Sequence, residues 1–578
     1  MALSFSRSAA RRRPRKAIRL SRESLVGWAL LGLVCLLAAY PVVLMFIKSF
    51  SVAAPGQPPA WGLDSWTSLI NERGLGAVFA NTFSLAAIRT AISVAIAIFF
   101  AWIVTRTDAP ARGLIEIMLW LGFFLPVLPM TLGWVLLLDP SYGLINHFAM
   151  DVLGFGEAPF NVFSYWGIVW CQLAFSVSIR FLLLTPAFRS MDAALEEAAR
   201  MSGSNSWVTL LRINIPVLAP AIFASVALGF IKSLESFEIE WVLGPAANIT
   251  VVSTKLYAFL NWEPPYYGRA TALSGIFLLT IFLLIWLQKI LLRNRDYTTM
   301  SGRGFSTRPV SLGVWRWPAT VLCLAFVAIT IVVPFCTLLM GTFMNVFGFF
   351  DLAETWTLRN WVETVEDPLF FKGLYNTILL AGGVTVIGVL FYSLVSYGIV
   401  RTRFVARSAI DFFSWLPWAL PGVLLSLGLL WVVLGTGGIF RFMYGTIFVL
   451  IISIVVKEMP LGTQMIKAGT VQISRDLEEA SKMSGATWIM TFRRVMLPLL
   501  RPSLVAVGIV MFIVSVREIS AIVFLASSNS KTLSLLMMDY ISDQSMEKAT
   551  VVGVFTVFMT LGLLLVGSMC GLSPRGKQ

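Results

Sequence analysis

The chain has 578 residues, of which 57% are hydrophobic and 13% are charged, against roughly 45–50% and 25% in soluble globular domains. This composition excludes a soluble enzyme, and the mean hydropathy of +0.82 is too high for a soluble protein with one anchor of about 20 residues. The formal net charge of +14 favours a membrane surface over nucleic acid, because eight cations precede the first apolar segment. These are Arg7, Arg11, Arg12, Arg13, Arg15, Lys16, Arg19 and Arg22.

Twelve apolar segments are each long enough to cross about 30 Å of hydrocarbon as a helix. The first is too long for a signal peptide and is expected to be an uncleaved anchor. Arginine and lysine concentrate in alternate connections, which predicts that both termini are cytoplasmic. The segments begin near Leu25, Thr82, Leu114, Phe163, Val217, Thr271, Trp317, Thr377, Phe412, Met443, Leu504 and Ala549.

The chain repeats itself. Trp61, Asn81-Thr82, Arg106-Thr107 and Pro126 recur 295 residues later, and beyond the third span the offset becomes 282. Six spans separate equivalent points, so the halves share one orientation and are related by an axis along the membrane normal. The predicted organisation is a basic cytoplasmic tail (1–24), a first repeat (25–292), a cytoplasmic linker (293–316), a second repeat (317–570) and a C-terminal tail (571–578).

The strongest functional signal lies between spans four and five of each half. Residues 195–203 read Leu-Glu-Glu-Ala-Ala-Arg-Met-Ser-Gly and residues 477–485 read Leu-Glu-Glu-Ala-Ser-Lys-Met-Ser-Gly. Over 195–220 and 477–502, 12 of 26 positions are identical. A connection that only joined two spans would not be expected to repeat so many residues.

Each copy predicts a short helix. Asp192 and Ser474 suit the N-cap, and Gly203 and Gly485 suit a left-handed stop. The pairs Glu196 with Arg200 and Glu478 with Lys482 are spaced to interact across one helical turn. Small residues share one face with a leucine: Leu195, Ala198, Ala199 and Ser202, and likewise Leu477, Ala480, Ser481 and Ser484.

Such a helix either packs against its own chain or docks on another protein. Two copies at equivalent places favour a paired docking site for a symmetric soluble partner.

This motif resembles that of the membrane subunits of binding-protein-dependent ABC importers, and the resemblance spans the chain as two fused permeases. It implies an all-α type I importer permease fold in the bacterial inner membrane, with each motif helix acting as a coupling helix. The departures are Ser481, Ile215 and Val495. The implied coupling residues are Glu196, Glu197, Ala198, Ala199, Gly203 and Pro216, with Glu478, Glu479, Ala480, Ser481, Gly485 and Pro498.

The resemblance also implies the partners: two copies of a cytoplasmic ATPase that carry ATP and Mg²⁺, an external solute-binding protein and membrane lipid. The chain itself is expected to bind no cofactor and to be no enzyme, since its one Walker-like string, at residues 571–578, lacks the serine or threonine.

Within the family, the chain looks most like the iron(III) importers, with thiamine, polyamine and aminoethylphosphonate systems as alternatives. The rival class is an ion-coupled secondary transporter, because parallel six-span repeats also occur there.

Ionisable groups at membrane depth are costly and usually functional. Glu235 and Arg517 occupy equivalent positions, which suggests an ion pair that closes the outer half of the pathway; local pairing within each half is the alternative. Glu238 and Glu240 are candidates for cation attraction, and Glu518 lies beside Arg517.

Arg89 and Lys457-Glu458 have uncharged counterparts in the other half, and their role stays open. The five cysteines are scattered and His147 is the only histidine, so neither a catalytic triad nor a metal site is expected.

Overall fold

The computed structural model describes residues 22–51, 60–292, 309–350, 352–402, 404–435 and 440–569. Most of the predicted basic tail, the predicted linker up to residue 308 and the C-terminal tail lie outside these ranges.

The described residues form helices and no β-strand, with only three isolated bridges. Eight helices are long and apolar enough to span a membrane, and four bent helix pairs bring the number to twelve. This agrees with the predicted all-α architecture. Spans 1 to 6 are Ser24–Lys48, Leu75–Arg106, Arg112–Phe124 with Val127–Leu138, Tyr165–Ser190, Ser206–Leu234 and Tyr267–Leu287. Spans 7 to 12 are Gly313–Gly341, Pro368–Val400, Arg407–Ala419 with Gly422–Gly435, Ile447–Lys457 with Met459–Gln472, Trp488–Leu499 with Arg501–Arg517, and Met546–Gly567.

Recurring prolines explain the sharpest bends. Spans 3 and 9 turn by 105° and 112° immediately before the helices that follow Pro126 and Pro421. Proline lacks the N–H that would continue the helix, and its ring clashes with the preceding turn. The halves differ elsewhere, since spans 10 and 11 bend by 57° and 77° while spans 4 and 5 are unbroken.

Prolines also account for wider turns inside the helices. The turn is π-helical just before Pro41, Pro216, Pro334 and Pro498. An extra residue in the turn accommodates the missing hydrogen bond without breaking the helix. The π segments are Cys35–Ala39, Leu210–Asn214, Ala328–Val332 and Phe492–Met496.

The first span of each half packs against the other half. Span 7 lies so close to span 3 that a Cβ at Gly133 would sit 2.1 Å from Pro334 O. The equivalent contact, between spans 1 and 9, is looser: a Cβ at Gly428 would lie 3.2 Å from Pro41 Cβ. The two halves are therefore interlocked through their first spans.

The recurring threonine of spans 2 and 8 fixes the segment that follows the fifth span of each half. Thr82 Oγ1 accepts a hydrogen bond from Val252 N at 2.9 Å, and Thr377 Oγ1 accepts one from Leu533 N at 2.9 Å. In both cases the contact caps a short helix on the side of the molecule remote from the duplicated motif. The short helices on that side are Asp64–Ile70, Leu144–Asp151, Glu238–Ala247, Val252–Asn261, Arg359–Glu366 and Leu533–Ser542.

Candidate functional site

Two motif helices, Ala193–Met201 and Asp476–Met483, lie where the duplicated sequence predicts them. Since six spans separate them, both lie at the same end of the molecule, called the motif end below. Asp192 Oδ1 accepts a hydrogen bond from Ala194 N at 2.9 Å, and Ser474 Oγ accepts one from Asp476 N at 3.2 Å. The expected left-handed stops are present, with φ of +81° at Gly203 and +78° at Gly485.

Each motif helix exposes one face to solvent. Met201 and Met483 are 90% and 88% exposed, and the second acid of each motif, Glu197 or Glu479, is also exposed. Ala198 and Ala480 lie on the exposed part of their helices as well. These exposed apolar side chains make each motif helix a candidate contact surface for another protein.

The first acid of the first motif points inward. Glu196 is 1% exposed and accepts hydrogen bonds from Arg106 Nε at 3.1 Å and Arg106 Nη2 at 2.6 Å. Asn214 Nδ2 also donates to Glu196, at 2.8 Å. The expected pair between Glu196 and Arg200 is therefore not formed, because the carboxylate is buried and already satisfied, while Arg200 lies on the exposed face.

The second half repeats this anchor with different support. Arg401 Nε lies 3.2 Å from Glu478 Oε1, and Tyr397 OH donates to Glu478 Oε2 at 3.4 Å. The partner of Glu478 is thus the arginine that directly follows span 8. The predicted pair with Lys482 lies outside the described side chains.

In the sequence, Arg106 and its equivalent Arg401 stand out only as a position that repeats. In the structure each ties the end of span 2 or span 8 to a motif helix. A detectable signal existed, since the arginines and the first motif acids recur together. Breaking such a buried pair typically costs about 3–5 kcal/mol, because it leaves an uncompensated charge.

The closing motif prolines, Pro216 and Pro498, are exposed. Each follows a π-helical turn near the start of span 5 or span 11. Their local effect is to shape the return from the motif helix into the membrane span. Among the small-residue positions, Ala199 is buried, whereas Ser481 is half-buried and its hydroxyl lies 3.0 Å from that of Thr491.

A second candidate site is a cavity of about 140 Å³ between the halves, called the axial cavity below. Its lining includes five pairs of positions that are 282 residues apart. Equivalent positions from both halves can line one cavity only if it lies on the pseudo-twofold axis. The pairs are Phe175 and Lys457, Lys232 and Val514, Glu235 and Arg517, Ser236 and Glu518, and Glu238 and Ser520.

Lys457 is the centre of the charge network in this cavity. Its Nζ lies 3.1 Å from Glu235 Oε1 and 2.9 Å from Glu518 Oε1, so it joins the two halves. Lys232 pairs with Glu235 at 2.7 Å, and Ser520 Oγ donates to Glu518 at 2.9 Å.

The expected ion pair between Glu235 and Arg517 is not formed. Two lysines already satisfy Glu235. Arg517 instead donates to Phe123 O at 2.7 Å and Leu125 O at 3.2 Å, and its guanidinium lies 5.2 Å from the ring of Phe175. Carbonyl oxygens and aromatic faces suit the planar guanidinium. Both residues line the axial cavity, as their equivalence requires, but they have separate partners.

Glu240 is not available for cation attraction. Its carboxylate lies 2.6 Å from Arg89 Nη1, with both side chains 1% exposed. The pair links span 2 to the helix Glu238–Ala247, which gives Arg89 a local partner. Glu238, in contrast, lines the axial cavity. Within the residues that the structure describes, no group of three or more histidine, cysteine or acidic residues is placed to hold a metal ion.

Comparisons with known proteins give relatives for this chain. Residues 385–575 match the model of the binding-protein-dependent transport system inner membrane component. The chain is 25% identical over 543 residues to the ferric transport system permease protein FbpB of Actinobacillus pleuropneumoniae, covering 93% of this chain and 77% of the relative. The chain is therefore similar to the binding-protein-dependent permeases, in its second predicted repeat by the family model and over most of its length by this relative. Its size is that of a fused double permease.

Other relatives align with either most of the chain or less than half of it. A probable ABC transporter permease of Sinorhizobium fredii, y4fN, is 24% identical over 94% of both chains. The molybdenum permease ModB of Escherichia coli is 29% identical over 34% of this chain and 86% of its own. A solved bacterial alginate importer matches 44% of this permease and 94% of its own chain, at 18% identity and a TM-score of 0.36.

Proposed function

We propose that this permease is the translocation subunit of an ATP-driven importer, and that its two motif helices seat in two copies of a cytoplasmic ATPase. One observation carries the proposal: two matched helices expose apolar residues at one end of the molecule, and each is fixed to the membrane part by a buried arginine–glutamate pair. A rigid mount of this kind suits the transmission of movement from a soluble partner to the spans.

The motif end then faces the cytoplasm, and both termini lie on that side of the bacterial inner membrane. ATP binding would bring the ATPase copies together and draw the two motif helices with them, so that the halves open outward. Hydrolysis would reset them. An external solute-binding protein would deliver the substrate to the opposite end, and ATP and Mg²⁺ would be held by the partner.

Ferric iron is the substrate we propose. The supporting relatives are the ferric permeases that align with both halves: one from Actinobacillus pleuropneumoniae, and a putative one from Haemophilus influenzae that is 26% identical over 85% of this chain. The molybdenum and sulfate permeases align with less than half of the chain. Thiamine, polyamine and aminoethylphosphonate remain the alternative substrates.

The coupling proposal is tested by replacing the two exposed motif acids together, with Glu197→Ala and Glu479→Ala. Because both side chains are exposed, the variant should insert and fold normally but lose the co-purifying ATPase and ATP-dependent uptake in proteoliposomes. Glu157→Ala, an exposed acid in a loop at the opposite end, is the control and should retain the ATPase. An unchanged ATPase yield in the double variant would contradict the docking model, and uptake driven by an ion gradient without ATP would favour a secondary transporter.

A further inference from the structure

Two carboxylates that line the axial cavity are not part of its network of ion pairs. Lysines hold Glu235 and Glu518, but the carboxylates of Glu238 and Glu458 accept no hydrogen bond and form no ion pair among the described residues. Both line the cavity, and Glu458 is only 6% exposed. Glu238 comes from the first half and Glu458 from the second, so the two acids face one space from two sides of the interface.

A carboxylate in this position is expensive without a counter-charge. Removing an ion from water costs several kcal/mol even after the protein relaxes, and acidic groups at membrane depth usually pair or mark an ion pathway. The charged lining consists of four glutamates against Lys232, Lys457 and Arg517. Four acidic and three basic groups leave the lining net negative, so the cavity favours an added cation.

The volume of the axial cavity and its oxygen donor atoms narrow the class of cation that it would hold. About 140 Å³ holds a few water molecules, each of which takes about 30 Å³ in the liquid. Carboxylate and water oxygens are the ligands of hard metal cations. Two free carboxylates are fewer than a tight metal cage needs, and a conducting site must release its ion as well as bind it.

We propose that the axial cavity is a transit site for a hydrated polyvalent metal cation, held between Glu238 and Glu458. The inference rests on the proposed import function and adds a place in the membrane where the cargo pauses. Lys457, which lies beside the site and engages Glu235 and Glu518, supplies a fixed positive charge that keeps the cation from binding too tightly.

Terbium(III) is the probe for this site. The permease is purified in detergent with its ATPase, and terbium luminescence is excited through tryptophan; Trp418 lies near the cavity, with its ring 5.4 Å from Lys232 Nζ. We expect saturable emission whose Kd rises at least tenfold in the double variant Glu238→Gln with Glu458→Gln. Glu157→Gln, at an exposed acid, should leave the Kd unchanged.

Stability separates a binding role from a structural one. Because Glu238 and Glu458 lack partners, their replacement by glutamine should not lower the thermal midpoint of the complex. Glu518→Gln removes a partner of Lys457 and should lower it. An unchanged terbium Kd in the double variant overturns the proposal, and so does displacement of terbium by spermidine at lower concentrations than by another trivalent ion, since that would identify an organic amine site.

Uptake distinguishes this inference from the proposed function. In proteoliposomes with the ATPase and a loaded binding protein, the double variant should take up ferric iron at least tenfold more slowly while the ATPase stays bound. Wild-type uptake rates in that variant would overturn the transit site and leave the importer intact. If the wild-type complex hydrolyses ATP but imports no iron, the proposed substrate is wrong, whereas terbium binding still tests the cavity by itself.

Discussion

The motif end and the axial cavity are built from the same repeat, yet only one of them is symmetric. Residues 195–203 and 477–485 agree at seven of nine positions, and both motif helices are anchored by a buried arginine–glutamate pair. In the axial cavity all five equivalent lining pairs differ in residue type. The two halves therefore share the sequence and the anchor of the motif helix, whereas their residues differ in the axial cavity, where the halves meet.

The difference follows from what each region contacts under the proposed function. Two identical ATPase subunits present the same surface twice, so each motif helix must satisfy the same requirements. A cargo on the axis contacts both halves at once and depends only on the sum of their charges. The halves can then divide the task, with Lys457 in one half and Glu235 in the other.

The sharpest test of this asymmetry exchanges the two equivalent charges of the cavity, with Glu235→Arg and Arg517→Glu together. Arginine at position 235 would face Lys232 and Lys457, which now hold the glutamate. Breaking buried pairs of this kind costs about 3–5 kcal/mol, so we expect uptake to fall to background and the thermal midpoint to drop. Double-variant uptake well above that of both single variants would show instead that the two residues act as a direct pair.

The anchors test how far the motif end is symmetric. Arg106→Ala leaves Glu196 buried and uncompensated and should cost about 3–5 kcal/mol, with loss of ATPase stimulation. Arg401→Ala should cost less, because Arg401 lies farther from its acid, at 3.2 Å rather than 2.6 Å, and Glu478 is more exposed than Glu196, at 6% against 1%.

Thermal unfolding of the purified complex and stimulated ATP hydrolysis measure both anchor variants. Arg200→Ala is the matched control, because Arg200 lies exposed on the same helix as Glu196. Equal losses in the two anchor variants would mean that the differences in pair distance and burial do not set the cost of losing the arginine.

Substitutions at the interlocked first spans should destabilise the protein less, and by different amounts in the two halves. Gly133→Ala places a methyl group 2.1 Å from Pro334 O, where backbone must move, whereas Gly428→Ala places it 3.2 Å from Pro41 Cβ. Overpacking typically costs about 1–3 kcal/mol. We expect Gly133→Ala to lower the thermal midpoint clearly and Gly428→Ala to lower it little; Gly76→Ala, where the added Cβ has open space, is the control. The reverse order would show that the second contact is the tighter one.

Local sequence signals predicted the helices, the caps and the recurring breaks well. Asp192, Gly203 and Pro126 act on backbone within a few residues of themselves, so their effect is visible in the residues around them. The partners of the charged groups were not predictable in this way. The repeat placed Glu235 opposite Arg517, but the competing lysines lie three residues away on the same helix and 222 residues away in span 10.

The anchors show the same limit. Helical spacing predicted that Glu196 pairs with Arg200. The carboxylate is instead buried and pairs with Arg106, 90 residues earlier in the chain. Pairings across the fold follow from tertiary packing, which spacing along one helix does not encode.

The smallest expected effect is a complete exchange of the motif helices between the halves. Since residues 195–203 and 477–485 differ at only two positions, the exchange needs Ala199→Ser, Arg200→Lys, Ser481→Ala and Lys482→Arg. Serine at 199 would lie near Thr209, the equivalent of the Thr491 that now meets Ser481. Arg200 is exposed, where substitutions usually change stability by less than about 0.5 kcal/mol, and the alanine–serine exchanges place residues of similar size at equivalent positions, so uptake and ATPase binding should match the wild type. A large loss of either would show that each helix is fitted to its own half, and the symmetry of the motif end would then be one of sequence only.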